Sequence, residues 1–232
     1  MNVLILGGTK EARELAVALH CQGVAVTTSL AGRTPEPRRP PGDIRIGGFS
    51  DLDLTPFDAI VDATHPFATR ISEAAARTRL PLLRLERPRF EERPGDNWRR
   101  VTDAREAVAL AGDKVFLTIG HAATAFAGTR AWCLIRAITP PPPPLPANHE
   151  LILARPPFSL AGELELLARV DTLVTKDSGG DRTKLDAARR LGVTVIVIER
   201  PATPGGVASV EQAAAWVRTL ATAPPRPRSP AR

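Results

Sequence analysis

The 232-residue sequence predicts an α/β protein built on parallel sheets. Short apolar runs of strand length alternate with helix-length amphipathic stretches along almost the whole chain, the pattern of a doubly wound parallel sheet. The opening run, Val3, Leu4, Ile5 and Leu6, is continuously apolar, as a strand buried on both faces must be. It feeds directly into Gly7-Gly8 and then a helical pattern with Ala12, Leu15, Ala16 and Leu19 on one face.

The elements follow in order. Helix 9–22 ends at Gly23, a C-cap residue, and strand 24–28 (VAVTT) comes next. A Pro/Arg-rich loop covers 33–45, and a short strand begins near 44–48. Strand 59–62 (AIVD), helix 67–79 and strand 82–85 complete a first half. The polar stretch 86–100 reads as a linker. The pattern then restarts with helix 103–111, strand 115–119, a helix near 121–127 and strand 131–135. Pro140 to Pro144 force an extended loop. Strand 150–153, helix 159–169, strand 171–174, helix 181–191, strand 193–198 and helix 207–222 follow. These give domains 1–97 and 98–222, with a Pro/Arg-rich tail, 223–232, expected to be disordered.

Composition excludes several classes. No apolar run approaches the ~20 residues that span a bilayer, and a core strand starting this near Met1 leaves no room for a signal peptide. Cys21 and Cys133 make neither a disulfide framework nor a zinc site, so a cytoplasmic protein without a metal is expected. The formal charge of +6 raises nucleic acid as a partner. The basic residues, however, are nearly all Arg, are scattered among acids, and lack aromatic interleaving. HExxH, CxxC, GxSxG and Walker A motifs are all missing.

Three constellations carry chemistry. A strand, a glycine turn and a helix N-terminus converge free N–H groups and the helix dipole on an anion, which makes Gly7, Gly8 and Thr9 a phosphate cradle. Thr9 either caps the helix or donates to a phosphate. The second strand ends without the carboxylate that grips a ribose 2′-hydroxyl. Its donors, Thr28, Ser29 and Arg33, suit a 2′-phosphate and therefore NADPH. Next, AIVD runs into ATHPFA, which sets Asp62, Thr64 and His65 at a strand's carboxyl end, with Pro66 opening the next helix. Finally, the loop TKDSGG sets Lys176, Asp177 and Ser178 at another carboxyl edge, with Gly179 and Gly180 allowing close backbone approach. Asp177 could instead cap the following helix.

Taken together, ILGGTKEARELA, SLAGRT, IRIGGF, VDATHPFATRIS, LLRLERP, LTIG, VTKDSGG and KLDAARRLGV resemble the precorrin-6A reductase family of cobalamin biosynthesis, from position 4 to about 193. The resemblance implies two Rossmann-like parallel-sheet halves with the active site in the cleft between them, and a strand exchanged between the halves. It implies an NADPH-dependent oxidoreductase that adds hydride to C19 and a proton to C18 of the precorrin-6A macrocycle. In that reading Gly7, Gly8, Thr9, Ser29, Arg33 and Thr64 bind the cofactor. His65, Lys176, Ser178, Gly179 and Gly180 bind substrate, and His65, Lys176 and Asp177 are the catalytic candidates. The family often has an aromatic after ERP, where Arg89 and Phe90 stand here.

The macrocycle's many carboxylates suit an Arg-rich protein, which accounts for the charge without nucleic acid. No membrane or nucleic-acid partner is expected; a monomer is favoured, with the oligomeric state open. The rival readings are a non-catalytic NADP(H)-binding module or sensor and a basic nucleic-acid-binding protein.

Overall fold

The computed structural model describes residues 1–32, 39–202 and 205–222. The expected tail, 223–232, and Arg33 lie outside them. The chain forms two compact units, Met1–Arg87 with the segment after Ala202, and Pro88–Ala202.

In the first unit, β1 (Asn2–Leu6), β2 (Ala25–Leu30), β3 (Asp43–Ile46), β4 (Ala59–Asp62) and β5 (Leu82–Arg84) form an all-parallel sheet in the order β3-β2-β1-β4-β5. Helix α1 (Lys10–Cys21) starts where Thr9 Oγ1 accepts from the Ala12 N–H at 3.1 Å, and Gly23 at φ +75 ends it as expected. Its Ala12, Leu15, Ala16 and Leu19 are fully buried against Val3 and Ile5 on one face of the sheet, beside Ala213, Ala214 and Val217. The other face buries Leu4, Leu6 and Ile60 under Ala75 of α2 (Thr69–Ala76). Each fully buried Leu, Ile or Val among them is worth roughly 1.5–3 kcal/mol.

In the second unit, β6 (Trp98–Val101), β7 (Lys114–Leu117), β8 (Trp132–Ala137), β9 (His149–Leu153), β10 (Thr172–Lys176) and β11 (Thr194–Ile198) form a six-stranded parallel sheet in the order β6-β11-β10-β7-β8-β9. Helix α4 (Leu160–Leu167), capped by Ser159, and α5 (Thr183–Leu191), ended by Gly192 at φ +67, contribute Leu167, Leu185, Ala187 and Ala188 to one core. Helix α3 (Ala104–Leu110) is capped by Asp103, whose carboxylate accepts from the N–H groups of Arg105 and Glu106.

Four expectations change. Residues 98–101, read as the end of a linker, are strand β6, paired in parallel with β11. Its sequence, WRRV, hid it because an edge strand keeps its charges in water. The segment near 121–127 is a 3-10 helix over Gly120–Phe126. Helix α2 starts at Thr69 because Pro66 occupies a turn closed by the Ala68 N–H on His65 O at 2.7 Å. Helix α6 (Val210–Thr222), placed with the second half, packs on α1 in the first unit.

The topology also shows a reciprocal exchange. Leaving out β6, the second sheet reads β9-β8-β7-β10-β11, the order of the first sheet over again. Its sixth position is filled by β6, which follows β5 in the chain. The corresponding position beside β5 is filled by Val207, which follows β11 and forms a parallel bridge to Leu85. The Val207 N–H donates to Arg84 O at 2.9 Å, and Val207 O accepts from the Glu86 N–H at 3.0 Å.

Cys133 is buried in β8, and burial pushes its thiol up to about 11, whereas Cys21 is exposed. Native protein at pH 8 is therefore expected to react with a thiol reagent at Cys21 alone. Cys133 should become reactive only after denaturation, as counted by mass spectrometry.

Candidate functional site

The strand order of each sheet reverses beside its central strand, β1 in the first and β7 in the second. Ligands of open α/β sheets bind at the carboxyl ends of the strands at that point. In the first unit the carboxyl ends of β1 and β4 carry Gly7 to Thr9 and Asp62 to His65.

The glycine turn has the geometry of an anion cradle. The Gly7 N–H donates to Ser29 O at 2.9 Å, which pins the end of β1 to β2. A Cβ on Gly7 would stand 2.8 Å from Thr28 Cγ2 and 3.2 Å from Leu30 Cδ2, so only glycine fits. Gly8 takes φ +114, with open space where a Cβ would be. Among the described residues, neither the Gly8 nor the Thr9 N–H meets a protein acceptor. The nearby acids are tied down: Glu11 pairs with Arg87 at 2.9 Å and Glu14 with Lys10 at 3.2 Å. The backbone therefore fits a pyrophosphate.

The side chains expected to help it are engaged elsewhere. The Thr9 hydroxyl donates to Ala63 O at 2.7 Å while capping α1, so its proton is unavailable to a phosphate. Thr64 is buried. Its hydroxyl and N–H both donate to Asp62 Oδ1, at 2.7 and 3.1 Å, and its Oγ1 lies 3.4 Å from Ser72 Oγ. Thr64 thus builds the loop rather than offering a free donor. Ser29 is buried within β2, and Thr28 Oγ1 is buried without a hydrogen-bond partner among the described residues.

Asp62 organises the β4 loop. It is buried and its Oδ2 pairs with Arg84 Nη1 at 3.0 Å. The loop so held presents His65 to the surface. The His65 Nδ1 accepts from the Phe67 N–H at 3.2 Å, so in the neutral ring the proton sits on Nε2. In that tautomer the ring is a hydrogen-bond donor through Nε2.

In the second unit Lys176 ends β10, partly buried, and desolvation holds its ammonium below the usual lysine value. Asp177, expected among the catalytic residues and as a possible helix cap, does not cap α5 and is enclosed by protein. Its side chain is 0% exposed. Its Oδ1 accepts from the Phe90 N–H at 2.9 Å and lies 3.5 Å from Arg200 Nη2. The Arg200 Nε donates to Asp177 O at 2.9 Å. Asp177 therefore fastens the 88–90 segment to the ends of β10 and β11. The Asp181 carboxylate, not Asp177, accepts from the Thr183 N–H at the start of α5. Gly179 and Gly180 both take positive φ, +66 and +83, which favours glycine; Gly179 is buried, Ser178 half-buried and Gly180 exposed. Phe90, at the position where an aromatic was sought, is a core anchor.

Sequence reasoning missed Arg84, Arg89, Arg100 and Arg200. One signal was present: Glu-Arg-Pro follows the fifth strand of each sheet, at 86–88 and at 199–201. In each unit that arginine pairs with an acid beyond another strand's carboxyl end, Arg87 with Glu11 and Arg200 with Asp177. Among the described residues no cluster of His, Cys, Asp and Glu could hold a metal, and no helix is long and apolar enough to cross a membrane.

Comparison with known proteins identifies the family. A relative from Rhodococcus erythropolis named precorrin-6A reductase is 48% identical, across 94% of this chain and 98% of its own. One of the same name from Mycobacterium tuberculosis is 46% identical, across 94% and 98%. One from Priestia megaterium, named cobalt-precorrin-6A reductase, is 30% identical across 86% and 90%. A solved structure titled CobK precorrin-6A reductase superposes with a TM-score of 0.84 at 36% identity, covering 95% of this chain and 97% of that one. The family model described as precorrin-6x reductase CbiJ/CobK matches residues 2–218, and the chain belongs to that family.

Proposed function

We propose that this chain reduces one C=C bond of precorrin-6A in cobalamin biosynthesis, with NADPH as reductant. The observation that carries the cofactor reading is the glycine turn at the β1/β4 switch point, which has two unengaged N–H groups, no room for a side chain at Gly7, and no free acid beside it. Bound there, NADPH supplies the hydride. The Gly8 and Thr9 N–H groups would hold its pyrophosphate, and Arg33, rather than the buried Ser29, would read the 2′-phosphate. Relatives named for precorrin-6A share 39–48% identity and those named for the cobalt form about 30%, which favours the metal-free ring.

His65 donates from Nε2 to the macrocycle, and Lys176, Ser178, Gly179 and Gly180 receive its acid side chains. Lys176 is the proton source for C18. An ammonium whose pKa is lowered by burial gives up its proton more readily than an exposed one. The direct test is the loss of nicotinamide absorbance when precorrin-6A is added to pure protein with NADPH. No loss with this substrate, alongside intact NADPH binding, would favour the non-catalytic sensor.

Lys176→Met is expected to lower kcat at least about 100-fold without lowering the thermal midpoint at neutral pH. Because the folded value lies below that of an exposed lysine, the unfolded chain holds the extra proton at pH values between the two. Wild-type stability therefore rises with pH across that window, and methionine removes the cost of the buried charge below it. A midpoint that falls while kcat is retained would make Lys176 a structural residue.

A further inference from the structure

Three guanidinium groups surround one buried carboxylate in the second unit. Arg200, itself buried, matches Asp177: it bonds the Asp177 carbonyl, approaches Oδ1, and reaches Pro88 O at 3.4 Å. The other two converge on Oδ2. Arg89 Nη1 lies 3.6 Å away and Arg100 Nη1 3.9 Å, both too far for a hydrogen bond, and Oδ2 has no hydrogen-bond partner among the described residues. One negative charge thus gathers three positive ones.

Neither outer arginine has another acidic partner among the described residues. Their side chains remain 49% and 35% exposed. Arg100 is steadied by donating from Nη2 to Phe90 O at 3.1 Å and by lying over the Trp98 ring at 5.4 Å. Like charges held this close repel unless an anion joins them, whereas free surface arginines would turn apart into water. The single charge of Asp177 does not balance all three guanidinium groups.

We propose that Arg89 and Arg100 form a carboxylate-binding pair, aligned by Asp177, that takes an acid side chain of a polycarboxylate tetrapyrrole. This rests on the substrate reading above and adds a named contact to it. Asp177 is then a positioning residue, and the guanidinium groups make the contact through charge-assisted hydrogen bonds.

The test uses fluorescence titration of the whole protein with two porphyrins, one with eight carboxylates (uroporphyrin) and one with four (coproporphyrin). Wild type should prefer the octacarboxylate. R89Q and R100Q should each weaken it about tenfold, and the double variant should lose the preference and show a shallower salt dependence. The ratio of the two affinities is a readout that a merely structural role would not move, and R89K/R100K, which keeps both charges, should restore part of it. The proposal is overturned if the double variant, folded by circular dichroism, keeps the wild-type ratio. It is equally overturned if wild type binds no octacarboxylate. The reductase reading is judged separately by NADPH consumption with precorrin-6A, so the two can fail independently.

Discussion

Replacing Arg136 with methionine is expected to destabilise the second unit by about 3–5 kcal/mol. Arg136 stands on β8 with its side chain 7% exposed, and its Nη2 lies 2.8 Å from Oε1 of Glu163, which is 2% exposed. The guanidinium is also 3.8 Å from the Phe158 ring centroid and 5.0 Å from that of Phe116. The second carboxylate oxygen of Glu163 is buried with no hydrogen-bond partner among the described residues, so Arg136 is the main compensation for its charge. Removing the cation leaves the buried Glu163 carboxylate without its partner. The companion experiment fixes the cause. Arg136→Met combined with Glu163→Leu removes both charges and should recover most of the loss, because two apolar residues need no partner. Urea denaturation reads both variants. A single variant within 1 kcal/mol of wild type, on the order of ordinary surface substitutions, would show that water reaches Glu163.

Valine at position 7 is expected to reduce NADPH affinity at least about 100-fold, the loss of two charge-assisted hydrogen bonds to a pyrophosphate. The Cβ alone comes within 2.8 Å of Thr28 Cγ2, closer than packed carbon atoms approach. The turn cannot slide away, because the Gly7 N–H is bonded to Ser29 O on the same strand that supplies the obstruction. Relief must come from rotating the 7–9 segment, which turns the Gly8 and Thr9 N–H groups off their target. Gly8→Ala is the contrasting variant. Its Cβ meets nothing within 4 Å, so it adds backbone strain at φ +114 without a clash and should weaken binding less. Titration of bound-nicotinamide fluorescence distinguishes them. If Gly7→Val binds NADPH within threefold of wild type, the pyrophosphate does not sit at the first glycine turn.

Local chemistry made much of the molecule legible. The βα alternation, the strand at 2–6, the cap at Thr9 and the stop at Gly23 follow from hydrophobic period and from side-chain and backbone rules that act within a few residues. The loops at 62–65 and 176–180 were recognisable as carboxyl-edge loops for the same reason, since strand polarity is written in the order of strand and helix. What each side chain does within them was less legible. The hydroxyls of Thr9 and Thr64 are chemically able to hold a ligand, and only their acceptors at Ala63 O and Asp62 Oδ1 show that they are engaged.

Other features depend on which distant segments meet. WRRV carries no strand signal of its own and becomes β6 because β11 offers it an open edge. Neither does a one-residue bridge at Val207 announce that the chain returns to β5 after the whole second unit, Pro88–Ala202. Asp177 drew attention as a titratable residue in a glycine-rich loop. Arg89, Arg100 and Arg200, from a linker, an edge strand and the end of β11, convert it into a buried anchor. The sequence alone determined the βα alternation, most of the element order and the glycine turn after β1, because these depend on short-range periodicity and backbone sterics. The tertiary structure alone decided the exchanged sixth positions and the arginine cluster, because hydrogen-bond edges and charges pair by proximity in space, and proximity across a hundred residues is fixed only when the sheets close.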